Sequence, residues 1–352
     1  MRNWSKPIAS VGQVGNLRRV ANPLFRVLAA ILLTAALASA QQSPDVHILP
    51  VRKNIYMLVG AGGNITVSAG PDGVLLVDSG SARMTDKIIA AVHQLGVQLS
   101  TNGAPPKPIQ FIINTSADPN HIGGNAKIAK SGRTYTGGNV AGDLRGLGEA
   151  DPEEGAQIYA YQTVLNRMSA TLPPSAPGKI PLTATPVAAW PAVTYDTDVL
   201  NFSHFFNGEA IQIIHQPAAH TDGDSMVYFR GADVLATGDI FVTDSYPVVD
   251  LAKGGSLQGI LDGLNHILDI AIPEFRLEGG TMIIPGHGRL CDSADVAYYR
   301  DMVTVIRDRI RDQIKKGKSL EEVKAAGLTK DYDGRYGSPD SFIEAAYKSL
   351  KK

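Results

Sequence analysis

Eleven residues, Asn114-Thr115-Ser116-Ala117-Asp118-Pro119-Asn120-His121-Ile122-Gly123-Gly124, follow directly on the apolar run Ile109–Ile113. A short apolar run bounded by turn-forming residues reads as a buried strand. The polar loop behind it carries Asp118, Asn120 and His121, and Gly123-Gly124 lets a helix start close to these side chains. Three more blocks repeat the pattern of an apolar run ending at a candidate ligand. They are His220 in Ala219-His220-Thr221-Asp222-Gly223-Asp224, Asp239 in Thr237-Gly238-Asp239-Ile240-Phe241, and His287 in Pro285-Gly286-His287-Gly288. One histidine or aspartate in a chain of this kind is usually structural or solvated. Four of them, His121, His220, Asp239 and His287, each following a strand-like run, call for a common explanation.

The order of these blocks resembles that of the metallo-β-lactamase fold hydrolases, whose first metal motif reads Thr-His-x-His-x-Asp-His-x-Gly-Gly. Thr115, His121, Gly123 and Gly124 match it residue by residue, whereas Ser116 and Asp118 stand at the two early histidines and Asn120 at the aspartate. The specific motifs span about Asn54 to Cys291. The resemblance implies an α/β fold: a four-layer αββα sandwich with an inserted lid region and extra C-terminal helices.

It also implies two metal positions. The first would use His220 and Asp239, with Asp118 as a carboxylate ligand and Ser116 as a poor one. A carboxylate there loosely resembles the flavodiiron branch of the superfamily. The second would keep His121, His287 and Asp239, with Asn120 offering a neutral amide oxygen. Two imidazoles, a carboxylate and an open position suit catalytic Zn²⁺ first, then Fe²⁺ or Mn²⁺, so one divalent ion is expected rather than two. Asn120 and Asp239 are the candidate catalytic residues. Asp78, in Asp78-Ser79-Gly80, would support the metal loop from behind without binding metal.

The first forty residues bear on the address. Arg2, Lys6, Arg18, Arg19 and Arg26 are followed by the apolar run Val27–Leu37 and then Ala38-Ser39-Ala40. A basic segment, a short apolar segment and a small-residue cleavage site make a secretory signal peptide over residues 1–40, and hence a periplasmic or secreted protein without a membrane anchor after cleavage. Those five residues are the only charges there, so of 33 basic and 34 acidic residues the remainder keeps 28 and 34, a net charge of −6. A mildly acidic chain gives no reason to expect nucleic acid; the expected partner is a small-molecule substrate. Cys291 is the only cysteine, so no internal disulfide can form.

The rest of the chain reads as follows. Val46–Val51, Asn54–Gly60, Asn64–Ala69 and Gly73–Val77 are β-rich runs forming a meander, and the Gly60–Gly63 turn lies beside the substrate in relatives. Thr85 to Leu95 is a helix stopped by Gly96, with His93 on its solvated face. Asn125–Lys130 begins another helix, and Thr134–Tyr135 suggests a short strand. Residues 141–208 read as an insertion or lid, with a helical piece around Glu154–Met168, a Pro-rich linker at 172–178, and Trp190, Tyr195, Phe202, Phe205 and Phe206 as aromatic walls for the substrate pocket. A structural cover over one sheet is the alternative. Ala210–Ile214, Ser225–Phe229, Val234–Ala236 and Thr281–Ile284 are further strands. Ser256 caps a helix, Tyr298–Lys315 is a long amphipathic helix, and Ser319-Leu320-Glu321-Glu322 is a capping box. Residues 45–295 would form the metallo-β-lactamase-like domain and 296–352 a helical extension. His215 and Cys291 are expected to pack.

The functional expectation is a metal-dependent hydrolase in which metal-activated water attacks an ester, lactone, thioester or amide. The alternatives are a non-catalytic scaffold that binds a small molecule or a protein, and an iron-dependent redox protein.

Overall fold

In the computed structural model of the chain, residues 45–101, 103–133, 155–171, 184–202, 205–271 and 279–351 are described. The proposed signal peptide, the Thr134–Tyr135 strand and the Pro-rich linker lie outside them. The first four strands are β1 (His47–Arg52), β2 (Ile55–Val59), β3 (Ile65–Gly70) and β4 (Gly73–Val77), paired antiparallel in succession. Helix α1 (Thr85–Leu99) then returns the chain to β5 (Ile109–Ile113), which lies parallel to β4. Two short helices, α2 (Pro119–Ile122) and α3 (Asn125–Ser131), follow the metal-motif loop.

The next strands, β6 (Gln157–Tyr161) and β7 (Val193–Tyr195), flank α4 (Gln162–Met168) and extend the first sheet in parallel, giving the order β1-β2-β3-β4-β5-β6-β7. The second sheet has the order β12-β11-β10-β9-β8, built from β8 (Val199–Asn201), β9 (Ile211–Gln216), β10 (Asp224–Phe229), β11 (Val234–Ala236) and β12 (Met282–Ile284). Helix α5 (Leu257–Ile270) lies between β11 and β12 in sequence. The chain closes with α6 (Ser293–Lys315), α7 (Leu320–Ala325), α8 (Asp333–Tyr336) and α9 (Asp340–Lys351).

Strand alternation makes this a four-layer sandwich. Leu75, Val77, Phe111 and Ile113 of the first sheet face Ile213, Val227, Phe229 and Val234 of the second in one buried cluster. On the opposite pleats, Val74, Leu76 and Ile112 pack under Ile88, Val92 and Leu95 of α1. Met226, Tyr228 and Leu235 pack under Ile260 and Leu264 of α5 and under Met302, Val303 and Ile306 of α6. The C-terminal segment docks on this last layer through Tyr336, Phe342 and Tyr347, all buried. Ser256 and Ser319 cap their helices as expected, the latter in a capping box with Glu322.

Three expectations are corrected. Helix α1 runs three residues past Gly96, which is not a stop. A Cβ at Gly96 would come within 2.8 Å of Pro106 Cβ, so the glycine makes room for the returning loop. The helix expected around Glu154–Met168 is a strand up to Tyr161, because Ile158 and Ala160 on one side and Tyr159 and Tyr161 on the other bury into different layers, as only an extended segment allows. The described part of residues 141–208 is woven into both sheets. Its aromatic residues Tyr195 and Phe206 are buried, and Phe202 and Phe206 meet Phe111 edge to face at 5.0 and 5.2 Å between sheets. They are core, not pocket walls, since apolar rings at inward strand positions are drawn between the sheets. Phe205 alone stays exposed.

Candidate metal centre

Each candidate ligand sits just past the C-terminal end of a strand or in the turn joining two strands, so the fold gathers them on one edge of the sandwich. After β5, the chain turns at Asp118 into α2, whose first residue is Pro119, a good helix starter with no N–H to leave unsatisfied. Asn120 and His121 lie on this one-turn helix. Asn114 and Asn125 exchange side-chain hydrogen bonds behind it at 3.1 and 2.8 Å. A Cβ on Gly124 would come within 2.3 Å of Ser79 O, so only glycine lets α3 start here. Asp239 follows β11 and His287 follows β12. A Cβ on Gly286 would lie 2.1 Å from Asp239 Oδ1, so that glycine is what lets the β12 loop close on the carboxylate.

His121 Nε2 lies 3.1 Å from Asp239 Oδ2, and His287 Nε2 lies 3.6 Å from Asp239 Oδ1. His121, Asp239 and His287 each offer a ligand atom within 4.8 Å of the others. Asp118, His220 and Asp239 form a second such group, sharing Asp239 with the first. His121 is fixed from behind: Asp78 Oδ2 accepts from its Nδ1 at 2.7 Å. The same carboxylate accepts from Thr115 N at 2.8 Å and Thr115 Oγ1 at 2.7 Å. Asp78 therefore aims Nε2 of His121 at Asp239, the usual arrangement behind a metal-binding imidazole. On the far side, Asn120 Nδ2 donates to His287 Nε2 at 2.6 Å.

The donor set fits a divalent cation. His121 Nε2 and Asp239 Oδ1 are buried and make no well-aligned hydrogen bond; they meet only as ion pairs, His121 Nε2 with Asp239 Oδ2 at 3.1 Å and Asp239 Oδ1 with His287 Nε2 at 3.6 Å. Buried polar atoms this poorly satisfied are costly, and a cation among them would satisfy both. Electrostatics agree. Burial opposes ionisation of Asp239, but His121 and then His287 outweigh it and hold its pKa at about 2. Burial likewise opposes charge on His121, yet Asp239 and Asp78 raise its pKa well above the usual 6.5. The pocket is anionic and attracts positive charge, whether protons or metal.

The second group differs. His220 Nδ1 donates to Val248 O at 2.8 Å and its Nε2 to Asp118 Oδ2 at 2.8 Å. Asp118 Oδ1 accepts from Lys253 Nζ at 2.8 Å, and Lys253 also pairs with Asp250 at 3.0 Å. Burial would raise the Asp118 pKa, but the bonds from His220 and Lys253 take it well below the ordinary carboxylate value. Burial is likewise overcome at His220, where Asp118 lifts the pKa to about 9. Ser116 Oγ accepts from the Asp118 N–H at 3.3 Å instead of facing the group.

The residues expected to pack do so. His215 stacks on Tyr161 with ring centroids 3.5 Å apart, and Cys291 is 3% exposed. His93 is exposed. Two residues were given no role by the sequence, although Asp224 stands within the His220 block. Lys253 reaches Asp118 from 135 positions away. Asp224, whose pKa burial pushes up to about 6, accepts from Thr221 N and Oγ1, both at 2.7 Å, and so pins the His220 loop. The nearest local sign of Lys253 is the turn Asp250-Leu251-Ala252-Lys253-Gly254, capped by Asp250 and ended by a left-handed glycine.

A cleft of about 470 Å³ opens beside His287, between the Gly60–Gly63 turn and Arg289, with Met57 and Val59 on its floor. Gly60 and Gly62 adopt φ of +93° and +109°, which a side chain would resist. The glycine turn therefore borders the site, as expected.

The comparisons with known proteins agree with this architecture. The stereoselective inverting sec-alkylsulfatase Pisa1 from Pseudomonas sp. superposes with a TM-score of 0.56 at 15% identity, over 86% of this chain and 50% of that one. A double mutant of the same enzyme gives 0.58 at 16% identity, again over 86% and 50%. A metallo-β-lactamase from Pontibacter korlensis gives 0.48 at 13% identity, over 74% and 99%. The chain thus spans about half the length of the alkylsulfatase structures, and at these identities the likeness concerns the fold. No curated protein matches in sequence. The model of the metallo-beta-lactamase superfamily matches residues 58–287, more than half of the chain and every ligand block described above, so the chain belongs to the metallo-β-lactamase superfamily.

Proposed function

We propose that this protein is an exported metal-dependent hydrolase acting on an ester, lactone, thioester or amide, with one divalent ion, zinc by preference, held by His121, Asp239 and His287. The observation that carries this reading is the close group of His121, Asp239 and His287, whose ligand atoms lie within 4.8 Å of one another and in which the buried His121 Nε2 and Asp239 Oδ1 lack a well-aligned hydrogen bond. A divalent ion there supplies a Lewis acid and makes water a nucleophile at neutral pH. Asp239, ionised down to about pH 2, keeps the pocket anionic throughout the physiological range. Asp78 holds the His121 ring in place. Asn120 donates its amide N–H to His287 Nε2, and the cleft beside His287 has room for a small molecule. Export rests on the basic and apolar segments of residues 1–40. Among the described residues no helix is long and apolar enough to cross a membrane.

Metal analysis of the dialysed protein, followed by a panel of ester, lactone, thioester and amide substrates, tests the proposal. The expected result is about one equivalent of metal and a hydrolysis that chelation abolishes. Absence of metal even after addition of Zn²⁺, Mn²⁺ or Fe²⁺ would overturn it. That outcome would favour a non-catalytic binding scaffold, a reading that draws on the neutral Asn120 where the superfamily motif has aspartate.

A further inference from the structure

We propose that the ammonium group of Lys253 is the permanent cation of the Asp118–His220–Asp239 group and so keeps a second metal ion out. The inference rests on the proposed metal-dependent reading of the His121–Asp239–His287 group and adds a residue outside every ligand block.

Both oxygens of Asp118 are engaged, one by His220 Nε2 and the other by Lys253 Nζ, each at 2.8 Å. The Asp118 side chain is only 16% exposed, so this is not a loose surface pair. The lysine rises from a turn that is held on every side. Asp250 Oδ1 accepts from the N–H groups of Ala252 and Lys253 at 3.1 and 3.0 Å. The Lys253 carbonyl accepts from Arg167 Nη2 at 2.7 Å and from Asp222 N at 3.0 Å. Gly254 ends the turn at φ +80°, where a Cβ would press within 2.9 Å of Asp222. A side chain leaving so fixed a backbone delivers its charge to one place.

A metal entering this group would need an oxygen of Asp118 and the Nε2 of His220, and both are already committed to each other or to Lys253. It would also face the ammonium across the same carboxylate, and like charges this close disfavour one another even with the Lys253 side chain 36% exposed. Among the described residues, the His121–Asp239–His287 group holds no lysine or arginine: Asp239 meets the two imidazoles at 3.1 and 3.6 Å, and His287 Nε2 accepts from the neutral Asn120 amide at 2.6 Å. The two halves of the centre are therefore unequal by construction, one prepared for a metal ion and the other closed by a lysine.

Metal content per chain, after Zn²⁺ loading and exhaustive dialysis of the whole protein, should differ between the unaltered protein and two charge-removing variants. Lys253→Met and Lys253→Gln should each hold about one equivalent more than the unaltered protein, while Lys253→Arg, which keeps the charge, should match it. A second equivalent in the unaltered protein, no gain in both neutral variants, or an equal gain in Lys253→Arg would overturn the inference. No metal in the unaltered protein, with a gain of one in Lys253→Met, would refute the proposed function and leave this inference standing.

Discussion

Asn120 Nδ2 and His287 Nε2 lie 2.6 Å apart, joining the loop that follows the first sheet's β5 to the loop that follows the second sheet's β12. A neutral amide therefore occupies the position beside the site where the superfamily motif carries an aspartate, and its hydrogen bond takes up the His287 Nε2 lone pair that a metal would need. The rest of the ligand group is anionic through Asp239, so one uncharged side chain separates this pocket from the usual one.

Asn120→Asp tests what that amide does. A carboxylate beside a divalent ion is held ionised by it, so metal affinity should rise by tenfold or more. Turnover on any substrate found should change by about 10²–10⁴-fold, the usual range for a positioned proton acceptor. A gain identifies Asn120 as a weakened acid–base position, and a loss identifies its amide as a donor to substrate. Unchanged affinity and turnover would remove Asn120 from the site.

Asp78 accepts three hydrogen bonds from buried donors, and Asp78→Asn takes away its charge while keeping its shape. Losing a partner of this kind behind a metal-binding imidazole costs about 10–100-fold in metal affinity. Competition against a chelator of known strength measures it. Asp78→Ala should in addition destabilise the fold by about 3–5 kcal/mol, because Thr115 and His121 are left buried without their acceptor; denaturant unfolding checks this.

Metal binding should strengthen as pH rises. The folded pKa of His121 lies above 6.5, so in the metal-free protein a proton occupies the site at neutral pH and must leave when metal enters. Apparent affinity should climb up to about tenfold per pH unit above pH 6.5 until His121 titrates. The stability that His121 gives the metal-free protein is present below pH 6.5 and is lost as pH rises through its elevated pKa. Asp239 acts at the other end: its contribution is present above 3.8 and lost as pH falls toward 2. Calorimetric titrations in buffers of different ionisation enthalpy would count the released proton, and a flat pH profile would contradict the assignment.

Cys291 should be inert in the native protein. Burial first, and the nearby Asp295 carboxylate second, push its thiol up to about 12. At pH 8 only about one molecule in 10⁴ then carries the reactive thiolate. A thiol reagent should label the protein only at the rate of unfolding, and fully once denatured. Rapid labelling of the folded chain would place Cys291 at an accessible surface.

The sequence alone determined the layers and most of the centre. Short apolar runs bounded by turn residues, such as Ile109–Ile113 and Ser225–Phe229, mark their own strands, and glycine-flanked ligands at their ends mark the site, because both depend on neighbours within a few positions. It also determined the caps at Ser256 and Ser319, which are local hydrogen bonds. What only the tertiary structure decided are relationships between distant segments. Tyr159 and Tyr161 read as part of a helix until β5 offered a parallel partner, since strand pairing is set by an edge that the local sequence does not contain. Phe206 is core because the second sheet covers it. Lys253 looked like any charged turn residue. Its meaning comes from Asp118, 135 positions earlier, and long-range charge pairing leaves no periodic trace in the sequence that makes it.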